Sequence, residues 1–302
     1  MKKTGESSAE SYEEFKAKRA EISRQRSLAG RDIGDLPDVV DLERKERGRR
    51  SLESFAMEYF PHRFYLSFSQ PHRDAIARFE HISAHGGKFA LAMPRGSGKT
   101  SLAEVDIIRD AVYGFRKFQV LMSATDGLAN ESLEKIKAEF ETNDLLLEDF
   151  PEVCYPIRRL ERVTNRAKGQ LYKGHPTYIN WTDGISLPTI PGSPASGSTI
   201  RTVGITGAIR GLSVFINGVP TRPDKVVFDD CQTRESAESP TQTAKRESII
   251  KGDALGLAGP TVEISAAMLC TVIRKNDLSS RFLSHDLNPQ WRGQKTKMLD
   301  RF

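Results

Sequence analysis

Cysteine is scarce in this chain of 302 residues: only Cys154, Cys231 and Cys270 occur. They are odd in number, far apart, and show no CxxC spacing. That pattern excludes a disulfide framework and a cysteine-built zinc site, and it suits a reducing compartment. Long apolar runs are missing too, since nothing approaches the ~18 residues of a membrane-crossing helix. The opening MKKTGESSAESYEEF has basic residues with no apolar stretch behind them, so a secretory signal is not expected. Tryptophan is limited to Trp181 and Trp291, which read with Tyr172 as packing residues. There is no internal repeat and no heptad run. Charge of one sign does not dominate, because 45 Lys and Arg stand against 40 Asp and Glu, a net +5. That balance permits a polyanionic partner without requiring one.

What is present reads as one large soluble domain or two small ones. Residues 1–50 form a polar arm, partly ordered or helical. Within it, Ser11 to Arg26 reads as a solvated helix and Leu42 to Arg50 (LERKERGRR) as an exposed charged lead-in. Packing is expected from Ser51, where Leu52, Phe55, Ala56, Tyr59 and Phe60 fall at helical spacing. Pro61 stops that helix, and a second, carrying Ala75, Ile76 and Phe79, ends near Gly86-Gly87. Strand-like and helix-like segments then alternate. Lys88–Met93, Phe118–Ser123, Tyr178–Trp181, Thr199–Ile205, Lys225–Asp229 and Thr261–Met268 read as strands. Thr100–Val112 and Leu128–Phe140 read as helices, the latter with Asp126 as its N-cap. Ser186–Ser198, rich in Pro, Gly and Ser, reads as a loop or hairpin turn. The alternation predicts an α/β layer fold around a largely parallel sheet.

The most informative string is LAMPRGSGKTSL, Leu91 to Leu102. An apolar strand runs into Gly96-Ser97-Gly98-Lys99-Thr100, and an amphipathic helix follows. Glycines let backbone N–H groups curl around phosphate oxygens, and the helix N-terminus adds its positive dipole end. Lys99 would reach the β and γ phosphates, and the Thr100 hydroxyl would ligate Mg²⁺. Met93 stands where the G-x-x-x-x-G-K-[ST] pattern has its first glycine. A nucleotide hydrolase also needs a strand that ends in a metal-binding carboxylate. Lys225–Gln232 reads KVVFDDCQ, and Asp229 lies 229 − 100 = 129 positions after Thr100. Asp229 would hold Mg²⁺, and Asp230 would orient or activate the attacking water, with Glu235 as an alternative base. Cys231 reads as a small buried residue. His81 and His85, four apart, lack a third metal ligand nearby and read as a surface pair.

Together these residues resemble the ATPase domain of the large terminase subunit, the DNA-packaging motor of tailed bacteriophages. The arginine-bearing loop MPRGSGKT, without the first glycine, is similar to that family's variant loop. Gly207 to Asp230 (GAIRGLSVFINGVPTRPDKVVFDD) resembles its Arg-Gly turn and the lead into the acidic strand. Ile264 to Leu283 resembles its coupling motif, with Thr271 in the coupling position and an Asp-Leu pair opening a helix. Leu66 to Ile76 (LSFSQPHRDAI) resembles its glutamine motif, in which Gln70 would read the adenine edge.

The resemblance implies a RecA-like fold of the additional-strand (ASCE) type: a mainly parallel sheet flanked by helices, after a helical N-terminal lead-in. The ATPase domain would span residues 51–285, and 286–302 would be a linker or tail toward a nuclease domain this chain lacks, so no nuclease activity is expected here. It implies ATP and Mg²⁺ as cofactors. Pro94, Arg95, Gly96, Ser97, Gly98, Lys99, Thr100 and Ser101 would hold the nucleotide, with Lys99, Arg95, Arg210 and Asp230 as catalytic groups and Thr100 and Asp229 at the metal. It implies double-stranded DNA bound without sequence preference, a portal protein and a small terminase subunit as partners, and a ring of like subunits on the procapsid. It places the chain in the cytoplasm of an infected bacterium, with no membrane. Arg158, Arg159 and Arg162 form a basic segment from which a trans-acting arginine could come. Two other readings remain: a helicase-like or repair DNA-dependent ATPase, and a nucleotide-gated assembly module with little turnover.

Overall fold

The computed structural model describes residues 16–19, 21, 31–207, 209, 211–216, 218–259 and 263–296. Its centre is a seven-stranded sheet: β1 (Lys88–Ala92), β2 (Phe118–Ser123), β3 (Ile185–Ser186), β4 (Thr199–Gly204), β5 (Lys225–Asp229), β6 (Ser265–Cys270) and β7 (Gln294–Lys295). The strand order is β7-β1-β6-β5-β2-β4-β3. Every neighbouring pair is parallel except β3 with β4. Alternate side chains of each strand enter different cores. Phe89, Leu91, Leu121, Val227 and Leu269 join one apolar cluster, while Ala90, Val120, Met122, Phe228 and Met268 join another. Burial on both faces explains why these strands read as unbroken apolar runs.

The first face is covered by α2 (Leu52–Tyr59), α3 (Gln70–His85), α4 (Lys99–Tyr113), α5 (Asp126–Thr142), α6 (Asp144–Asp149) and α7 (Pro151–Arg158). The second is covered by a π-helical turn (Ile249–Ala254), by Leu278 and Phe282 of a later helix, and by Trp291. Two short hairpins, Leu171–Tyr172 with His175–Pro176 and Val214–Ile216 with Val219–Thr221, lie outside the sheet. Among the described residues no helix is long and apolar enough to cross a membrane.

Packing begins before Ser51, not at it. Leu42–Arg50 is helix α1, and although Leu42, Glu43, Glu46, Arg47, Arg49 and Arg50 are exposed as expected, its other side packs on the core. Arg44 pairs with Asp149 at 2.6 Å and with Glu148 at 2.6 Å, and Lys45 pairs with Glu152 at 3.1 Å. Arg109 donates to the carbonyls of Gly48 and Arg49 at the end of α1. Gly48 permits the approach, since a Cβ there would stand 2.8 Å from the Tyr113 hydroxyl and 3.0 Å from the Phe55 ring. The charges of α1 looked solvated because their partners lie about a hundred positions away. Of the helix expected over Ser11–Arg26, the described residues 16–19 and 21 are helical, and the remaining positions lie outside the described residues.

Three local readings are corrected. Thr125, not Asp126, caps α5 through its hydroxyl, while the Asp126 carboxylate accepts from the Gly204 N–H at 2.7 Å. Tyr178–Trp181 is not a full strand but only an isolated antiparallel bridge of Asn180 with Ser186 of β3, while the Asn180 side chain accepts from the N–H and hydroxyl of Thr182 just beyond it. Tyr178 there has φ 52° and is exposed. The strand expected at Thr261–Met268 runs instead from Ser265 to Cys270, and positions 260–262 lie outside the described residues.

At the amino end of β5, Lys225 is wholly buried and its ammonium lies 2.5 Å from both Asp106 and Asp110 of α4. Ser83 of α3 donates to Asp110 at 2.8 Å. Burial alone would lower the Lys225 ammonium, but the two carboxylates outweigh it and keep it charged. Burial pushes the Asp106 carboxyl up from 3.8 to about 7, against the pull of Lys225. Removing the cation leaves two buried carboxylates facing each other, so Lys225→Ala should cost about 3–5 kcal/mol in a denaturant titration. Between about pH 4 and pH 7 the folded chain keeps a proton on Asp106 that the unfolded chain has released. Stability contributed by this group therefore falls as pH rises across that window, by at most about 1.4 kcal/mol per pH unit. The stability of the wild type relative to Asp106→Asn, read from urea midpoints, should fall on going from pH 5 to pH 7.5; a constant difference would refute the assignment.

Candidate active site

The site forms where β1 and β5 end on the same edge of the sheet, with β6 between them. After β1, the chain passes through Met93, Pro94 and Arg95 to Gly96-Ser97-Gly98, and Lys99 opens α4. Gly96 and Gly98 both have φ 78°, a left-handed conformation that a side chain would strain. Gly98 is the residue before the helix, so the bend turns backbone N–H groups toward the same space as the positive end of the α4 dipole. Met93 is buried and its N–H donates to the Cys270 carbonyl at 3.1 Å, which ties the root of the loop to β6.

Two polar pairings join the loop to the acidic strand end. The Lys99 ammonium is buried and lies 2.8 Å from the Asp230 carboxylate. The Thr100 hydroxyl donates to Asp229 at 2.8 Å. Asp229 is nearly buried, and burial pushes its carboxyl up from 3.8 to about 6, opposed by the Thr100 hydrogen bond. Its second oxygen is buried with no hydrogen-bond partner. Asp230 has left the strand: its φ is 40°, rare for a residue with a Cβ, while its N–H still bonds the Leu269 carbonyl at 3.0 Å. That twist aims its side chain at Lys99. The Thr271 hydroxyl lies 3.4 Å from the same carboxylate.

Lys99, Asp230 and Thr271 line a cleft of about 500 Å³ together with Arg95, Gly96, Leu128, Gln232, Arg234 and Ile273. Of the residues the sequence singled out, the structure gathers Arg95, Gly96, Lys99, Asp230 and Thr271 around this cleft, with Thr100 and Asp229 beneath. Gly98 and Ser101 face a second hollow of about 290 Å³ on the other side of the loop, lined also by Tyr65, Leu66 and His72, and Gly96 and Ser97 line it too. Gln70 opens α3 but donates its amide to Asp74 at 2.8 Å and lines neither space. Glu235 is exposed on α8 (Arg234–Glu238) and does not line the cleft. Arg210 lies outside the described residues. Arg158 and Arg162 pair with Asp144 and Glu141, away from the cleft. Cys231 is buried, its thiol donating to the Met122 carbonyl, and burial raises it well above the ordinary thiol range.

Sequence reasoning missed three contributors. His72 on α3 holds the Ser97 carbonyl through Nε2 at 2.7 Å while Nδ1 meets the Ser69 hydroxyl at 2.7 Å. Since a carbonyl only accepts, Nε2 carries the proton and Nδ1 accepts from Ser69. Gln232 is buried below the cleft. Its amide donates to the Thr243 hydroxyl of α9 (Pro240–Ser248) at 2.7 Å and to the Ser236 carbonyl, and its oxygen accepts from the Leu278 N–H at 2.7 Å, the first residue of α10 (Leu278–Leu283). Asp277, immediately before, caps that helix by accepting from Ser280 N–H at 2.7 Å. Arg234 stands at the cleft rim. No spacing in the sequence marks these contacts, which link positions far apart.

Comparison with known proteins adds no relative: no protein-family model matches the chain, and no curated protein does. Chemically, the cleft offers a cation and a helix N-terminus to a phosphate chain. It also offers a carboxylate oxygen and a hydroxyl to a hard divalent ion, which prefers oxygen donors. His72→Ala should release the loop's carbonyl anchor and cost about 1–2 kcal/mol. Amide exchange at Gly96, Ser97 and Gly98 should quicken in that variant, and unchanged exchange would show that the loop keeps its shape without His72.

Proposed function

We propose that this chain is a Mg²⁺-dependent ATPase with a RecA-like, additional-strand core, and that it serves as the motor domain of a phage DNA-packaging terminase large subunit. The observation that carries the ATPase reading is the convergence of Lys99 and Thr100 from the glycine bend on Asp230 and Asp229 from the next strand but one. A strand inserted between loop strand and acidic strand is the arrangement this class of core requires. The unpartnered buried oxygen of Asp229 beside the Thr100 hydroxyl fits a magnesium ion. The packaging reading rests on the sequence resemblance, to which the placement of Thr271 at the cleft and of Asp277 as the cap of α10 adds support.

Bound Mg²⁺·ATP would supply the phosphoryl group and the charge that withdraws electrons from it. In this reading Lys99 exchanges its bond to Asp230 for the phosphate chain, which frees that carboxylate to orient the attacking water. Arg95 and Arg234 at the rim add positive charge toward the leaving group. Thr271, within reach of Asp230, feels that exchange, and Gln232 connects the cleft floor to α9 and α10. Double-stranded DNA, a portal and a small subunit would be the partners in a subunit ring within the host cytoplasm.

ATPase of the isolated chain, with and without duplex DNA, tests this. Lys99→Ala and Asp229→Ala should each lower kcat by about 10²–10³, the usual loss when a preorganised electrostatic contact is removed. Turnover of the unassembled chain should be slow, because an arginine supplied in trans is worth about 10³–10⁵ in related hydrolases. Activity that survives Lys99→Ala unchanged would overturn the site. Tight ATP binding with no turnover in any assembly would favour the nucleotide-gated module, a reading to which the Lys99–Asp230 pair gives some weight.

A further inference from the structure

A second concavity lies apart from the cleft and shares no lining residue with it. It encloses about 460 Å³ between residues 31–33 and the segment after α7, and its lining includes Arg31, Asp32, Arg159, Glu161, Arg166 and Lys168. The segment 158–173 holds six basic residues and one acid, 6 − 1 = +5, which equals the net charge of the whole chain. Most ionised groups here are already matched. Glu161 pairs with Arg166, whose guanidinium chiefly holds that carboxyl low, with Arg159 adding a longer-range pull. Asp32 accepts from the N–H groups of Gly34 at 3.0 Å, Lys173 at 3.2 Å and Gly174 at 2.7 Å, and these bonds keep its carboxyl below the ordinary range. The side chains of Arg31, Arg159 and Lys168 make no hydrogen bond or ion pair among the described residues.

The frame behind these three cations is fixed. Arg31 accepts from the Leu171 N–H at 2.9 Å, and Ile33 donates back to the Leu171 carbonyl at 2.9 Å. Gln170 is buried and donates to the Pro156 carbonyl at 2.8 Å, which holds the loop against α7. Gly169 has φ 104°, and a Cβ there would stand 3.2 Å from an Arg31 guanidinium nitrogen. A bare glycine thus lets Arg31 lie across the loop that carries Lys168.

We infer that this concavity is a second anion site, built for the phosphate groups of a polyanion and contacted by Arg31, Arg159 and Lys168. Guanidinium forks suit phosphate oxygens, and three cations with no carboxylate partner favour a multivalent ligand over chloride. The phosphates could belong to a free condensed phosphate or to a nucleic-acid backbone. The assignment does not rest on the ATPase reading.

The test uses the full chain carrying Lys99→Ala, which weakens phosphate binding at the glycine loop and leaves the concavity untouched. Tripolyphosphate is titrated by calorimetry and a fluorescent duplex oligonucleotide by anisotropy, each over a range of salt. One variant adds Arg31→Glu, Arg159→Glu and Lys168→Glu. Its control adds Arg222→Glu, Lys245→Glu and Lys275→Glu, the same change of charge at exposed positions elsewhere. All six positions are exposed, so both proteins should fold, and circular dichroism checks that. The first variant should bind at least one probe roughly tenfold or more weaker. Its log Kd against log salt slope should flatten by about 2–3, as the loss of three phosphate contacts requires. The control should bind like its parent. Tripolyphosphate alone would mark a free condensed phosphate as the ligand, and the duplex would mark a nucleic-acid backbone. Binding of neither probe, or equal loss in both variants, would overturn the site, and neither result would bear on ATP turnover by the wild-type chain.

Discussion

The paired contacts of Lys99 with Asp230 and Thr100 with Asp229 are the constraint around which the rest of the molecule is arranged. They join consecutive residues at a helix start to consecutive residues at a strand end. Such a match needs β1 and β5 to stop at the same height with one strand between them. The register supplies it: Leu269 of β6 sits opposite both Leu91 of β1 and Asp229 of β5. It also needs Asp230 to turn out of the sheet, which the positive φ at that residue achieves at some conformational cost. A strained acid held against a buried cation is an arrangement that a bound polyanion can relax by taking the acid's place.

The same helix and strand are joined again at their far ends. Helix α4 runs antiparallel to β5, so Asp106 and Asp110 come to rest beside Lys225. From Thr100 to Asp110 the helix rises about 15 Å at ~1.5 Å per residue. From Lys225 to Asp229 the strand rises about 13 Å at ~3.3 Å per residue. The two lengths agree, so neither element can slide along the other without breaking one clamp. The donor sense is reversed between the ends: at the site the helix carries the donors and the strand the acids, and at the far end the acids are on the helix. A one-turn slip would bring like charges together, so the electrostatics select a single register. The cost of burying Lys225 with two carboxylates is better understood as fixing the site's geometry than as net stabilisation.

Much of this was legible in the sequence because the chemistry is local. KFALA, FQVLMS and KVVFD announce strands buried on both faces, and the glycine bend, its lysine and its threonine are neighbours in the chain. The acidic pair could be matched to them because a strand ending in two aspartates is a short pattern. What escaped notice was contact between distant positions. His72 and Ser97 are 25 apart and meet only because α3 packs beside the loop. The basic face of α1 looked solvated until Glu148 and Asp149 were brought beneath it. At Tyr178–Trp181 a strand was expected, but the pairing stops at the single bridge of Asn180 with Ser186. Gln70 was placed by resemblance as a base reader, while the folded chain has its amide on Asp74, one helical turn away.

Charge is distributed in a way that the modest total hides. Removing residues 158–173 from the count leaves 45 − 6 = 39 basic and 40 − 1 = 39 acidic residues, a neutral remainder. No general field of the chain therefore draws an anion to the glycine loop. Attraction there must come from groups within a few ångströms: the Lys99 ammonium, the α4 N-terminus and the rim arginines, in a partly buried space where screening is weak. Around Arg31, Arg159 and Lys168 the opposite holds, since those cations are exposed and salt should weaken their pull. The molecule thus separates a short-range grip that depends on exact placement from a longer-range attraction that depends on charge alone. Each can respond to a phosphate-bearing ligand without the other.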